Sequence, residues 1–303
     1  MNISILIPCY NWDVFHFIKS LHSVCKQTSL LKNFEIICIE DGSTNCFNNK
    51  RLKKIQNVQY EIHRNNIGRS AIRNLLAKKA NYDWVLFIDC DSKIFTGDFI
   101  TNYIENIEKP KPEKYIYYGE TIYEKIKTKN RLHQKYGERI ESKRKKEVFS
   151  SHHFLMHKNE FQKTQFDENI KFYGYEDVLF ELKYTQSKHE RPTRHKYKFK
   201  YINNPLYHIG LKSNRKFMTD CESGLKNLVE YHNDKNIIKK IKVLKYWKYF
   251  SKIGLIKLIM ICFKILKNPI LKNLHSNNPS LLLLQFYKLG FFSTLKFHSG
   301  KNR

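Results

Sequence analysis

Acidic residues are the scarce class in this chain. Asp and Glu number 28 against 55 Lys and Arg, a formal net charge of +27. Such an excess turns attention to polyanions: nucleic acid, anionic lipid or nucleotide diphosphates. A Lys- and Asn-rich background on a solvated surface is the plain alternative. Cysteine is sparse too, with seven residues, an odd number, and no C-x-x-C pair. Cys9, Cys38 and Cys90 lie in or at the end of apolar strand-like runs. That fits reduced, buried thiols and speaks against a disulfide framework or a zinc site. Lysines interrupt every C-terminal apolar run before it reaches the ~18 to 20 residues that a membrane span needs. The start, MNISILIPCYN, has neither a basic n-region nor a long apolar h-region, so no secretory signal is expected and the location expected is cytoplasmic. Internal repeats and long Gly/Ser linkers are also missing. What is present is 41% hydrophobic residue in 303, enough for one large domain, or one domain with an appendage, built on a real core.

From Ile3 to about Phe99, strand and helix patterns alternate. "ISILIPCYN" is a continuous apolar run, the mark of a strand buried on both faces. "DVFHFIKSLHSVCKQ" follows with helical spacing that puts Phe17, Leu21, Val24 and Cys25 on one face. "FEIICIEDGST" is a second buried strand, "VQYEIHR" a shorter one, "GRSAIRNLLAKKA" a helix opening on Gly68, and "DWVLFIDCDS" another strand. This alternation predicts an α/β fold with a mostly parallel sheet flanked by helices. Ligands in such sheets bind at the carboxyl ends of the strands. Three strands here end on polar residues, Tyr10 with Asn11, Glu40 with Asp41, and Asp89 with Asp91, and these groups should converge on one edge.

The texture changes from about Ile100 to Leu211. A basic, aromatic-rich stretch from Tyr123 to Phe154 predicts a helix and a mobile loop. In "FYGYEDVLFELKY" an acid pair, Glu176 and Asp177, opens an amphipathic helix with Val178, Leu179 and Leu182 as its apolar residues. "KYKFKYINNPLYHIG" reads as a strand, a proline turn, and His208 beside Gly210. Residues 212–303 form a basic amphipathic helical region. Its lysines at 242, 245, 248, 252, 257, 264 and 267 fall on about half of a helical wheel. The other half carries Trp247, Phe250, Ile253, Leu258, Ile261 and Leu266.

An Asp-x-Asp at a strand end offers two fixed carboxylates, which suits a divalent cation bridging a diphosphate. Turn and capping aspartates produce most such pairs. Taken together, however, "ISILIPCYN", "CIEDGST", "NIGRSAIRN", "FIDCDS" and "GYEDVLF" occur in this order over the first ~180 residues. In that combination the chain resembles the inverting family 2 glycosyltransferases of GT-A fold.

The resemblance covers the first ~210 residues and implies a GT-A catalytic domain over 1–211. Its nucleotide-binding half is about 1–99 and its acceptor half about 100–211. It implies that Pro8, Tyr10 and Asn11 line the nucleobase pocket. Glu40, in the place of a usual Asp, would bond the base, with Asp41 bracing the turn and Gly68 and Arg73 beside base and diphosphate. Asp89 and Asp91 would be the D-x-D pair, meeting the ribose and a Mn²⁺ or Mg²⁺ ion, with His208 a further metal ligand. Asp177 would be the catalytic base, with Glu176 the alternative. The segment "SSHHFLMHKNEF" would lie on the donor-sugar side. The activity implied is metal-dependent, hexosyltransferase-type transfer from a nucleotide-sugar, a UDP-sugar, to a glycan or lipid-linked acceptor in surface polysaccharide biosynthesis.

Each residue also has a plainer reading. Glu176 and Asp177 would serve as an N-cap and first-turn acid, worth about 1 kcal/mol. Arg73 would sit on a solvated helix face, His208 in a structural hydrogen bond, Gly68 in a turn, and Tyr10 and Asn11 in a strand-end turn. The C-terminal helices read as an interfacial element on an anionic membrane surface, peripheral on the inner face of the cell membrane, or else as helices docked on the domain. Two other classes fit parts of the pattern: a nucleic-acid-binding protein, against which the acids at the strand ends argue, and a catalytically inactive membrane-bound scaffold.

Overall fold

The computed structural model describes residues 1–45, 47–107, 112–125, 128, 131–143, 148–170, 173–186 and 198–301. Within it the chain divides into two compact units. The first comprises residues 1–124, 141–168 and 183–210, and the second residues 125–140, 169–182 and 211–303.

The first unit is built on a seven-stranded sheet. Its strands are β1 (Asn2–Cys9), β2 (Asn33–Asp41), β3 (Val58–His63), β4 (Trp84–Ile88), β6 (Tyr115–Tyr118), β8 (His153–His157) and β9 (Lys198–Tyr201). The order across the sheet is β3-β2-β1-β4-β8-β6-β9. β3, β2, β1 and β4 are mutually parallel, and β6 and β9 are parallel to each other. β8 runs antiparallel to both its neighbours. A second sheet joins β5 (Ser92–Ile94), β10 (Leu206–His208) and β7 (Thr121–Ile122). The mixed but mostly parallel sheet is the α/β architecture that the strand–helix alternation predicts.

Alternation along β1 explains why the central strands are continuous apolar runs. Ile3, Ile5 and Ile7 join one core with Phe17, Ile18 and Leu21 of α1 (Phe15–Gln27). Leu6, Ile37 and Ile39 point the other way and are equally buried, on the face where Ile72 and Leu76 of α2 (Arg69–Lys79) bury themselves. Two shorter helices, α3 (Phe99–Glu105) and α5 (Lys158–Thr164), also belong to this unit; α4 (Arg131–Tyr136) belongs to the second. Pro8 is tolerated inside a central strand for a simple reason. The ladder to β4 pairs only Ile3 to Leu6, so the missing N–H falls beyond it. Cys9, Cys25 and Cys38 are buried free thiols.

In the second unit α6 (Glu176–Gln186) begins, and α7 (Asn214–Asn227), α8 (Lys235–Lys240), α9 (Lys242–Lys252), α10 (Ile256–Leu274) and α11 (Leu281–Lys301) follow. One apolar cluster unites Leu179, Leu225, Ile238, Leu244 and Phe292. A second unites Leu132, Phe217, Phe263, Ile270, Leu274, Leu284 and Tyr287. Gly290 lets α10 and α11 approach closely, since a Cβ there would lie 2.4 Å from the Phe263 ring. Ser213 caps α7 and Asp234 caps α8, each accepting from backbone N–H groups of the first turn.

The lysine-rich stretch is not one wheel. Gly254, with φ of +75°, separates α9 from α10. The periodicity restarts there, and Leu258 and Ile261 stand exposed among the lysines rather than buried opposite them. Among the described residues no helix is long and apolar enough to cross a membrane. The expected loop before His152 includes residues 144–147, which lie outside those described.

Candidate active site

The carboxyl ends of β1, β2 and β4 bring the polar strand-end residues to one edge of the first unit. Asn11 follows β1 in a left-handed conformation, φ 51°. Its backbone N–H donates to Ser43 Oγ at 2.8 Å, and its Oδ1 accepts from the N–H groups of Thr44 and Asn45 at 2.8 and 2.9 Å. Asn11 thereby fastens the turn after β2 to the end of β1. Tyr10, beside it, is half-exposed.

Glu40 and Asp41 end β2 and are both buried. The Tyr60 hydroxyl donates to Glu40 Oε2. Tyr60 stands opposite Cys38 on β3, so it shares a sheet face with Glu40 two residues on. Burial and the carboxylate together push the Tyr60 hydroxyl's pKa upward, which keeps it a donor. Asp41 does different work. Its two oxygens accept from Ile67 N–H at 2.8 Å and Gly68 N–H at 3.1 Å, just ahead of α2. Burial raises the Asp41 pKa, and those two N–H groups oppose the rise. Gly42 and Gly68 adopt φ of +62° and +89°, so both turns are built on left-handed glycine.

Arg73 comes from α2 and is 1% exposed. Its Nη2 donates to Asp89 Oδ1 at 2.6 Å, and the guanidinium carbon lies 5.4 Å from the centre of the Phe166 ring. Asp89 is fixed from both sides: its N–H donates to the His152 carbonyl, and its own carbonyl accepts from Ser92 Oγ at 2.7 Å.

Asp91 and His208 meet because β5 and β10 pair antiparallel, with His208 opposite Ser92. His208 Nε2 lies 3.3 Å from Asp91 Oδ2, and Ile209 N–H donates to the Asp91 carbonyl at 2.9 Å. Gly210 closes the pair from the far side. A Cβ there would come within 2.1 Å of Asp91 Oδ2.

His152 is buried behind this pair, its ring centre 5.5 Å from that of His208. Ser92 spends its single hydrogen on Asp89, so its Oγ accepts from His152 Nε2 at 3.0 Å. That assigns the Nε2–H tautomer, with Thr121 Oγ1 donating to Nδ1 at 3.1 Å. Burial holds the His152 pKa well below the ordinary histidine value, with the neighbouring His153, His208 and Arg73 adding to it, so the ring is neutral.

Glu176 and Asp177 open α6 in the second unit. The turn ahead of them is left-handed at Gly174 and Tyr175, φ 108° and 69°. Glu176 Oε2 accepts from Gly174 N–H at 3.0 Å, and Asp177 Oδ1 lies 2.8 Å from Val178 N. On α7, Asn227 Nδ2 donates to the Gly174 carbonyl at 3.0 Å and holds the turn.

The first unit therefore brings together Pro8, Tyr10, Asn11, Glu40, Asp41, Gly68, Arg73, Asp89, Asp91 and His208. It adds Tyr60 and Gly210, which sequence reasoning left without a role, and His152, which it placed only within a segment on the donor-sugar side. Tyr60 was discoverable only from the β2–β3 register, and Gly210 only from the strand pairing that carries it past Asp91. A divalent cation fits the donor chemistry at Asp91 and His208, one carboxylate oxygen and one imidazole nitrogen. Among the described residues no group of three His, Cys, Asp or Glu gathers to hold an ion alone. Two protein ligands completed by diphosphate oxygens and water is a normal arrangement for Mg²⁺ and similar ions at phosphate sites.

The sequence model described as Glycosyl transferase family 2 matches residues 4–171. An uncharacterized glycosyltransferase of Rickettsia felis is 34% identical over 131 residues, 43% of this chain and 20% of that protein. The poly(ribitol-phosphate) beta-glucosyltransferase of Bacillus spizizenii is 38% identical over 98 residues, 31% of this chain and 15% of that protein. The matched region is thus only a small part of these relatives' length. Among solved structures, the mannosyltransferase PcManGT from Pyrobaculum calidifontis, in complex with GDP-Man and Mn²⁺, shares the fold. Its TM-score is 0.50 at 12% identity, over 76% of this chain and 62% of that one.

Proposed function

Since the chain belongs to glycosyl transferase family 2, we propose that it transfers a sugar, with inversion, from a nucleotide-sugar to a glycan or lipid-linked acceptor of a surface polysaccharide. The donor in this reading is a UDP-sugar. The observation that carries the reading is the pairing of Asp89 with Arg73 at 2.6 Å and of Asp91 with His208 at 3.3 Å on the strand-end edge that also holds Glu40.

Each residue has a task. Glu40, steadied by Tyr60, accepts a hydrogen bond from the nucleobase, and Tyr10 offers a half-exposed ring beside it. Asp89 accepts from a ribose hydroxyl. The guanidinium of Arg73, taken up by Asp89, fixes that carboxylate's orientation. Asp91 and His208 would hold the cation, and a bound Mn²⁺ or Mg²⁺ supplies positive charge for the leaving diphosphate. Asp177 takes the acceptor hydroxyl proton as that oxygen bonds to the anomeric carbon and the bond to the diphosphate breaks. Its place in the first turn of α6 favours the charged carboxylate that this step requires. The poly(ribitol-phosphate) beta-glucosyltransferase similarity supports a polyol-phosphate or related glycan as the acceptor class.

The test is release of nucleotide from a panel of nucleotide-sugars with Mn²⁺ or with EDTA. Slow metal-dependent turnover of one UDP-sugar is expected. Asp91→Ala should abolish it, and Asp177→Asn should keep donor binding while losing transfer. The reading fails if no donor in the panel binds or turns over with Mn²⁺.

A further inference from the structure

Helix α10 carries two apolar faces. Phe263, Ile270 and Leu274 are buried in the cluster shared with α11. At about 100° per residue, Leu258, Ile261 and Ile265 fall on the opposite side. They are 55%, 58% and 71% exposed. A lone exposed aliphatic residue is ordinary, but an aligned stripe calls for an occupant. The preceding helix behaves likewise. Val243 and Leu244 of α9 are buried, while Tyr246 and Tyr249, on the other side, are exposed.

Charge identifies what covers these faces. Lys245 and Lys252 share the outer side of α9, Lys257 and Lys264 line one edge of the stripe of α10, and all four are exposed. No Asp or Glu occurs between Asp234 and Arg303, so neither helix carries a countercharge of its own. A second copy seated on this surface would set lysine against lysine, at a cost. A nucleic acid would satisfy the lysines and leave the isoleucines wet. An anionic bilayer satisfies both: aliphatic side chains enter the acyl boundary, tyrosines sit at headgroup level, and lysines meet the lipid charge.

We propose that the outward faces of α9 and α10 form a docking surface for an anionic lipid bilayer, with the helices lying in the plane of the interface. This inference is independent of the donor and acceptor assigned above. It is tested with the full chain on phosphatidylcholine vesicles with and without phosphatidylglycerol. Co-sedimentation should require phosphatidylglycerol and weaken as salt rises. Neutralising a lysine of the surface should cost about fivefold in partitioning. The double substitution Ile261→Asp with Ile265→Asp should reduce it by about tenfold or more, since apolar burial is replaced by buried charge. Hydrogen exchange of the unaltered chain should slow across residues 242–265 when the vesicles are added, a reading that no folding defect can mimic. Vesicle binding that persists in the double aspartate variant overturns the proposal. So does a lysine-dependent affinity for a single-stranded RNA oligomer with no protection of α9 and α10 by vesicles.

Discussion

Gly210→Ala adds a single methyl group, and the structure fixes where it goes. The new Cβ would stand 2.1 Å from Asp91 Oδ2, 2.7 Å from its Cγ and 2.8 Å from its Cβ. Non-bonded carbon and oxygen settle at about 3.5 Å, so the carboxylate oxygen must retreat by roughly 1.4 Å. Gly210 is not among the residues with positive φ, so alanine is not strained in itself and the whole effect falls on Asp91. The displaced oxygen is the one that faces His208 Nε2 at 3.3 Å, and its retreat opens the pair. A misplacement of about 1 Å in a catalytic constellation costs about 10²-fold in rate, or roughly 2.7 kcal/mol. The fold itself should lose less. The Asp91 carboxylate, on a side chain 19% exposed, can turn toward solvent, but its Cβ needs a small backbone shift, so overpacking should cost about 1 to 2 kcal/mol, a few degrees in Tm. The assay pairs Mn²⁺-dependent donor turnover with thermal melting. Turnover should fall about 10²-fold while the melt drops by only a few degrees, and Gly210→Ala should add nothing to Asp91→Ala because both disable one carboxylate. Parental turnover and Mn²⁺ dependence in Gly210→Ala would refute the assignment of Asp91.

Two further outcomes follow from the buried groups. Arg73→Met removes the cation beside Asp89 and should destabilise the chain by about 2 to 3 kcal/mol, below the range for a fully buried pair because Asp89 is part-exposed; a loss under about 1 kcal/mol in urea unfolding would show that Asp89 does not need it. His153 is fully enclosed, bonded through Nδ1 to the Tyr103 hydroxyl at 2.7 Å, and burial depresses its pKa to about 4. The unfolded chain, with an ordinary histidine pKa near ~6.5, binds the proton first, so stability falls as pH drops from that value toward about 4. From neutral pH to pH 5 this site alone should remove about 2 kcal/mol. A urea midpoint that stays flat over that interval would mean that His153 is not held neutral.

The parts of this molecule that could be read in the sequence are those decided by local pattern. β1, β2 and β4 are buried on both faces, so each is a continuous apolar run, and a run that stops on Glu40 and Asp41, or on Asp89, announces a strand end. The α1 stripe of Phe17, Leu21 and Val24 was legible for the same reason. Long-range pairing left no such trace. Nothing near residue 92 foretells that β10 will lie against it, so the meeting of His208 with Asp91 depends on a register that the sequence does not display. β8 resembles its parallel neighbours in composition yet runs the other way. In the C-terminal region a single glycine, Gly254, resets the helical phase. An outward stripe and a buried stripe on α10 then look alike until the packing partner is known.

The pairing of β5 with β10 also governs when the site comes into being. Asp91 leaves the ribosome well before His208 and Gly210, which come at the end of the first unit. A chain that has formed its central parallel strands still lacks the imidazole beside Asp91 and the glycine behind it. Contacts of such wide sequence separation form late, after the entropy of closing the intervening loop has been overcome. The nascent protein therefore assembles the strand-end edge of Glu40 and Asp41 first and the pair of Asp91 with His208 last, and a chain cut short before Leu206 would hold the former without the latter.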